Sequence, residues 1–457
     1  MRNGTPRGFS PAEPSRENMA QPVRRRSLAI VFAVVFLDLL GFGIIIPILP
    51  FYTRSFPGGT EFVIGLLAAT YSAFQFVFAP ILGSLSDRYG RRPIIVTSLA
   101  GSVVAWTVFG LAEGLALLFV SRALAGAMGG NLSTAQAYVA DVTPPERRAS
   151  ALGLLGAAFG LGFIFGPGIG AVLSFDATVA AVDGLLPAAV PITRFSLPSF
   201  AAAAMSLVGV VVALAFLPES RAVGPAGTSE RPSQVQQLLA AVRSATLRPL
   251  LVAFFVTSFA FSGVQIMFIP FVADVFGYDA SQAALLLTYI GVLSVLIQGV
   301  LIGPLTARYS ETRLAAASSA VLVVGLVALP ATPQLASVAP DLTGLVAFLD
   351  ADLVALLGAL SLLPLGNGVL NVTLTSLVSR GASSDQQGSA FGLTQGAGSL
   401  ARTVGPVVMG GLYTLLGYWS PFLLGSVLLV PVLGIALRLR QPEETPEPRP
   451  VDPGHVR

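Results

Sequence analysis

Gly83-Ser84-Leu85-Ser86-Asp87-Arg88-Tyr89-Gly90-Arg91-Arg92-Pro93 is a dense charge cluster between two apolar runs, Phe62 to Leu82 and Ile94 to Leu111. A membrane-spanning helix needs about 20 predominantly apolar residues, and both runs meet that length. The stretch between them therefore reads as a very short loop, and its arginines mark the cytoplasmic side. Gly83 leaves room for a neighbouring helix, Gly90 suits the positive φ of a tight reversal, and Pro93 suits the first turn of the following helix. Asp87 is the least expected member, because an acid adds nothing to an orientation signal built on arginine. Its presence points to a cationic partner, although a basic loop with an incidental acid would read the same way.

Composition gives the class. The 457 residues are 54% hydrophobic and 11% charged, with a mean hydropathy of +0.79, whereas soluble domains carry about 25% charge. The chain reads as a polytopic membrane protein of the cell membrane. All 26 basic residues are arginine and the formal net charge is +3. Cysteine is absent and the single histidine, His455, lies in the polar C-terminal tail, so disulfides, thiol chemistry and a histidine-based metal site are excluded. No nucleophile–base set or metal cluster marks an enzyme. No cofactor, metal or nucleic acid is expected; the expected partners are a small-molecule solute, protons and the lipid bilayer, and the expected state is a monomer.

Twelve membrane helices are expected, at about 28–52, 62–84, 93–112, 115–140, 148–173, 198–217, 248–273, 281–306, 313–333, 350–379, 387–414 and 418–438. Residues 1–26 read as a disordered tail, and the first apolar segment is too long for a cleaved signal peptide. Residues 218–247 form a polar linker that separates a first six-helix bundle, 27–217, from a second, 248–440, followed by a tail at 441–457. Arginines cluster at alternate helix ends, which predicts that both termini are cytoplasmic. Internal repetition supports the two halves: Gly303 to Tyr309 follows Gly83 to Tyr89 by 220 residues with Ala307 in place of Asp87, and Asn371 and Gly405-Pro406 echo Asn131 and Gly166-Pro167. Such repeats mark transporters built around a midplane site.

The sequence G-x-L-S-D-R-x-G-R-R-P between the second and third helices resembles the signature of the major facilitator superfamily. The fold class implied is an all-α membrane protein of twelve transmembrane helices in two pseudo-symmetric six-helix bundles. The resemblance implies a cytoplasmic gate of Gly83, Asp87, Arg88, Gly90, Arg91, Arg92 and, at the end of helix 4, Asp141; Asp87 is expected to meet Arg91 and the start of helix 11 near Ser384. In helix 1, D-x-x-G-x-G-x-x-x-P-x-L-P from Asp38 to Pro50 is similar to a motif of proton-coupled drug exporters within the superfamily. In helix 4, Arg122-Ala-Leu-Ala-Gly126 is similar to their R-x-x-x-G motif. The resemblance implies proton coupling through Asp38, with Arg122 as its partner or competitor. Helix 5 carries Gly162, Gly166, Pro167 and Gly170, similar to an antiporter motif in which a kinked helix packs across the boundary between halves.

An acid at the centre of a membrane helix costs about 2.5 to 3.5 kcal/mol on translocon scales, so Asp38 is expected to face protein or water. It would serve coupling, or else hydrogen-bond backbone freed around Gly41, Gly43 and Pro47 or pair permanently with an arginine. Arg122 would serve Asp38 or snorkel to the interface. Gly156 and Gly160 share the four-residue spacing of close helix contacts. Tyr71, Gln75, Gln265, Asn367 and Arg402 are the candidates for a solute cavity. The chain resembles the tetracycline-exporter-like branch of drug:proton antiporters, which implies alternating-access export of hydrophobic or amphiphilic compounds. It departs from that branch at Ala105, where tetracycline exporters carry an acid, and in helices 8 and 9, where further titratable residues are missing. The alternative is proton-coupled or facilitative uptake of a small nutrient such as a sugar.

Overall fold

The computed structural model describes residues 16–185, 187, 190–220, 247–344, 346, 348–381 and 387–438. The linker region 221–246, the segment 382–386 with Ser384, and both outer tails, 1–15 and 439–457, lie outside the described residues. The described elements are helical throughout. Eleven of them are long and apolar enough to cross a membrane. The helix expected as the eleventh, Gln387–Leu416, is 30 residues long but does not reach that apolarity, because glycine, threonine and Arg402 dilute it.

The first half opens with α1 (Arg16–Ile45) and α2 (Ile48–Arg54), which break at Pro47. Proline removes a backbone donor and crowds the preceding turn, so the single helix expected over 28–52 is two. Helix α1 starts at Arg16, inside the tail expected to be disordered over 1–26. Next come α3 (Glu61–Tyr89) and α4 (Arg91–Gly110). Here the structure corrects the opening expectation: Gly83 to Tyr89 is not loop but the last turns of α3, and Gly90 alone, at φ +100°, joins the helices.

Helix 4 is divided at Gly130 into α5 (Leu115–Gly129) and α6 (Asn131–Val142). Then follow α7 (Pro145–Ser174), a short α8 (Asp176–Asp183) in the first long outer loop, and α9 (Ser196–Phe216). The second half consists of α10 (Leu247–Phe276), α11 (Ala280–Leu296), a π turn at Ile297–Leu301, and α12 (Ile302–Arg308). It continues through α13 (Glu311–Ala328), α14 (Thr332–Leu335), α15 (Ala351–Gly381), α16 (Gln387–Leu416) and α17 (Ser420–Arg438).

The chain folds into two compact units. The first takes Met1–Arg231 together with Gln265–Val292 and Arg402–Tyr418, so the end of α10, most of α11 and the end of α16 pack with α1–α9. Its core has two layers. One centres on Ile44, Ile48, Phe109 and Leu118, where the Tyr52 ring stacks on Phe195 at 4.7 Å and its hydroxyl donates to the Ala112 carbonyl at 2.6 Å. The other centres on Val34, Leu99, Tyr138 and Ala158. The second unit takes Pro232–Val264, Leu293–Ala401 and Trp419–Arg457, and α13 packs there on both α15 and α17.

Lipid offers no hydrophobic drive between apolar helices, so association rests on close van der Waals fit and small residues. The α1–α7 pair shows this most plainly. A Cβ on Gly166 would sit 2.6 Å from the Gly43 Cα, and one on Gly170 would sit 2.7 Å from the Ile44 carbonyl oxygen. The glycine face of α7 serves α1. The other face of α7 meets α11 within the same unit: Gly168 lies against Thr288, Ile164 against Gly291, and Ser281 donates to the Ala171 carbonyl at 3.2 Å. Helix α7 runs unbroken through Pro167. Gly156, by contrast, has open space where a Cβ would go, so the spacing of Gly156 and Gly160 does not mark a tight contact at Gly156.

Candidate functional site

The charge cluster at the α3–α4 turn is organised by Arg91. As the first residue of α4 it is brought back over the end of α3 by the positive-φ turn at Gly90, and only 5% of it is exposed. Its guanidinium meets Asp87 at 2.7 Å and Asp141 at 3.0 Å, and donates to the Ser86 hydroxyl at 2.6 Å. A buried arginine needs its fan of donors filled, and charge-assisted hydrogen bonds are the strongest available. Arg92 donates to the Leu214 carbonyl at the end of α9, and Arg88 lies over the Tyr89 ring at 5.3 Å. Gly83 needs no absent side chain, since the nearest atom to a Cβ there is the Ser133 hydroxyl at 3.8 Å. The expected contact near Ser384 falls outside the described residues.

Glu219 completes this cluster and was not anticipated. Its carboxylate accepts from the backbone N–H of Arg91 at 2.8 Å and of Arg92 at 3.1 Å. Those N–H groups have no partner within α4, and an anion at a helix N-terminus is stabilised by the helix dipole. The carboxylate lies so near Gly90 that a Cβ there would come within 2.5 Å of it. Ser220 donates to Asp141 at 3.3 Å and Tyr138 to the Pro218 carbonyl at 2.9 Å. The segment after α9 is thereby tied to the ends of α4 and α6.

The repeat in the second half carries the same device with its charges reversed. Glu311, 220 residues after Arg91 and likewise first in its helix, meets Arg380 at the end of α15 at 3.0 Å and accepts from Ser376 at 2.6 Å. Where the first half sets an arginine against an acid, the second sets an acid against an arginine.

Asp38 stands at mid-helix in α1, partly accessible, and accepts from the Asn131 amide at 3.2 Å and from the Ser102 hydroxyl. Asn131 reaches it because α5 ends and α6 begins at Gly130. Close packing holds that break: a Cβ on Gly130 would lie 2.9 Å from the Ala79 nitrogen. Among the described residues no ion pair joins Asp38 to Arg122, contrary to expectation. Arg122 is 3% exposed and does not snorkel. Its guanidinium lies 4.8 Å from the Trp106 ring centre, 4.9 Å from Phe109 and 5.9 Å from Tyr71, and its Nε and Nη2 have no hydrogen-bond partner. Aromatic faces attract a cation electrostatically, most strongly when both are desolvated. Three rings thus take the place the sequence reading assigned to a carboxylate.

Of the cavity candidates, Tyr71 and Gln75 come together. The Gln75 amide is 3.4 Å from the Tyr71 hydroxyl and donates to the Gly129 carbonyl at 3.2 Å. The charges of Asp38, Arg122 and Arg402 all act on Tyr71, which places these five residues in one electrostatic neighbourhood of the first unit. Gln265 sits in α10 within the same unit, whereas Asn367, in α15, belongs to the second.

At the other end of α3, about 43 Å away for a 29-residue helix, lies a second ionic group. Arg54 is bidentate to Asp274 at 2.8 Å on both arms, and its Nε and Nη2 donate to one Glu61 oxygen at 2.9 and 2.6 Å. Tyr413 donates to Asp274 at 2.6 Å. Burial works against the Arg54 charge, but Asp274 and Glu61 outweigh it and hold its pKa above the ordinary arginine value.

Known proteins resemble this chain over most of its length. The Tetracycline resistance protein, class C, of Escherichia coli is 28% identical over 399 residues, covering 85% of this chain and 89% of the relative. Major facilitator superfamily domain-containing protein 10 of Homo sapiens is 27% identical over 477 residues, covering 96% and 98%. A crystal structure of the human organic anion transporter MFSD10 superposes with a TM-score of 0.60 at 24% identity, over 90% of this chain and 99% of that one; at that identity the likeness speaks to fold alone. The profile of the Major Facilitator Superfamily matches residues 31–402. With its multi-spanning all-α architecture and these relatives, the chain belongs to the Major Facilitator Superfamily, a class of secondary transporters and not of enzymes, and it moves small molecules across a membrane.

Proposed function

We propose that the chain is a proton-coupled carrier of a small organic solute, with the Asp38 carboxyl as the group that loads and releases the proton. The supporting observation is the setting of Asp38. Among the described residues it is the acid in the interior of a spanning helix, held by the neutral donors Asn131 and Ser102 and in no ion pair. A carboxyl locked to an arginine would stay charged through the cycle; one held by neutral donors is able to exchange its proton.

The neighbourhood of Asp38, Tyr71, Gln75 and Arg402 offers hydroxyl, amide and guanidinium donors, which suits a solute with hydrogen-bond acceptors better than a wholly apolar drug. Transport of such a solute is therefore the leading reading, with uptake as the direction taken. Export of amphiphilic drugs is the second, favoured by the names of the tetracycline resistance relatives, while the absence of an acid at Ala105 separates this chain from tetracycline itself. The excess of arginine at the α3–α4 end, with Arg88, Arg91 and Arg92, supports a cytoplasmic position for that end. The Arg91 cluster would then be a cytoplasmic gate between two six-helix halves in an alternating-access cycle.

Proteoliposomes with imposed pH gradients of either sign, tested against a panel of sugars, organic acids and drugs, decide direction and solute class. Asp38→Asn is expected to abolish accumulation driven by the gradient while leaving solute binding measurable. Uphill transport by Asp38→Asn at the parent rate would move the coupling to another group.

A further inference from the structure

We infer that Arg54, Asp274 and Tyr413, with Glu61 as the arginine's second anchor, form a latch that keeps the face opposite the Arg91 cluster shut. The inference rests on the alternating-access reading for its role in transport, and on geometry alone for its existence. The four residues come from four helix ends. Arg54 closes α2, Glu61 opens α3, Asp274 lies in the last turn of α10, and Tyr413 lies in the last turn of α16. Two belong to the first half of the chain and two to the second; Arg54 and Asp274, 220 residues apart, join them, and Tyr413 reaches Asp274 from 139 residues further on.

Asp274 takes one Arg54 bond on each oxygen and the Tyr413 hydroxyl, while Arg54 Nε and Nη2 both donate to one Glu61 oxygen. The Arg54 side chain is 25% exposed, that of Glu61 16% and that of Asp274 40%, so the Glu61 arm is better shielded from water than the bidentate Asp274 arm. Beneath the ionic layer the backbones close as well. The Phe62 N–H donates to the Thr414 hydroxyl at 3.1 Å, and a Cβ on Gly65 or Gly410 would strike the Pro406 or Glu61 carbonyl respectively. On the neighbouring seam Ser281, at the start of α11, donates to Ala171 near the end of α7.

Both seams join segments that a carrier must part to admit solute from this face. The same segments carry fully buried apolar side chains, Phe271, Val272 and Met409 among them, so the ionic contacts add to an apolar seal; losing one charge-assisted contact shifts the balance toward the open state.

The absence of cysteine from the chain allows a direct test without any substrate. Ser281→Cys, nearly isosteric and buried at the seam, reports opening through its rate of reaction with a membrane-impermeant maleimide in nanodiscs, where both faces are reachable. In the parent the rate is expected to be slow. Asp274→Asn and Arg54→Gln are each expected to raise it about tenfold, the scale of one lost charge-assisted contact. Tyr413→Phe, which keeps the ring and both charges and so guards against misfolding, is expected to raise it about threefold.

Unchanged labelling in Asp274→Asn, Arg54→Gln and Tyr413→Phe overturns the latch. Because labelling needs no proton gradient, a failure of Asp38 as the coupling group leaves this result standing, and a failure of the latch leaves Asp38 untouched.

Discussion

Arg91 and Arg122 are both buried arginines in one half of one membrane protein, yet they are satisfied by opposite means. Arg91 has two carboxylates and a hydroxyl, and Arg122 has three aromatic faces and no hydrogen bond at Nε or Nη2. The difference follows from position. Arg91 sits at a helix end, where acids are cheap because water is near, while Arg122 sits inside a span, where a second charge would carry its own desolvation cost. Glu219 belongs to the first regime. A carboxylate on exposed helix N–H groups contributes about 0.3 to 1 kcal/mol, and up to about 2 when partly buried. Glu219→Gln is therefore expected to lower stability by about 1 kcal/mol, read as a lower melting temperature of the detergent-solubilised protein, with Arg91 still holding Asp87. An unchanged melting temperature would show that the two N–H groups are satisfied equally well without the charge.

At the scale of the element, glycine placement separates contacts that look alike in sequence. Gly156 and Gly166 both lie on α7 at four-residue spacing from another glycine, but only Gly166 faces a backbone that a methyl group would strike. Overpacking of this kind costs about 1 to 3 kcal/mol. Gly166→Ala is expected to reduce folded yield and melting temperature by that order, whereas Gly156→Ala is expected to be neutral or slightly stabilising, since alanine is the better helix former. Equal behaviour of the two variants in a thermal-shift assay would contradict the α1–α7 packing described above. The helix breaks at Pro47 and Gly130 make the same point about function. The first allows Tyr52 and Arg54 their own short helix, and the second brings Asn131 to Asp38. Proline announces its break in the sequence. Gly130, one glycine among 48, does not, because a single glycine in a membrane helix is as compatible with continuity as with a break.

For the whole molecule, the repeat of Gly83 to Tyr89 at Gly303 to Tyr309 led to two halves, and the structure adds that the second copy keeps the pairing while exchanging the signs, Arg91 with Asp141 against Glu311 with Arg380. If the chain is built from two such halves, they should assemble without a covalent link. Chains cut within residues 224–234 and co-expressed are expected to insert, associate and transport, scored by copurification and by gradient-driven uptake; insertion of both halves without copurification would show that the linker does more than connect. Most of the spans and the core of the Arg91 cluster were legible in the sequence, because hydropathy and charge placement are properties of the chain read one segment at a time. Asp38 was legible for the same reason, as an isolated cost that a membrane helix does not carry without use. Its partners were not. Asn131 rather than Arg122 beside Asp38, rings rather than a carboxylate around Arg122, Glu219 over the start of α4, and Arg54 against Asp274 and Tyr413 are all meetings of side chains from distant segments. Only the tertiary structure decides these, because it sets the rotation of each helix about its axis and the depth at which its neighbours stop, and a few residues of either sends a side chain to a different partner.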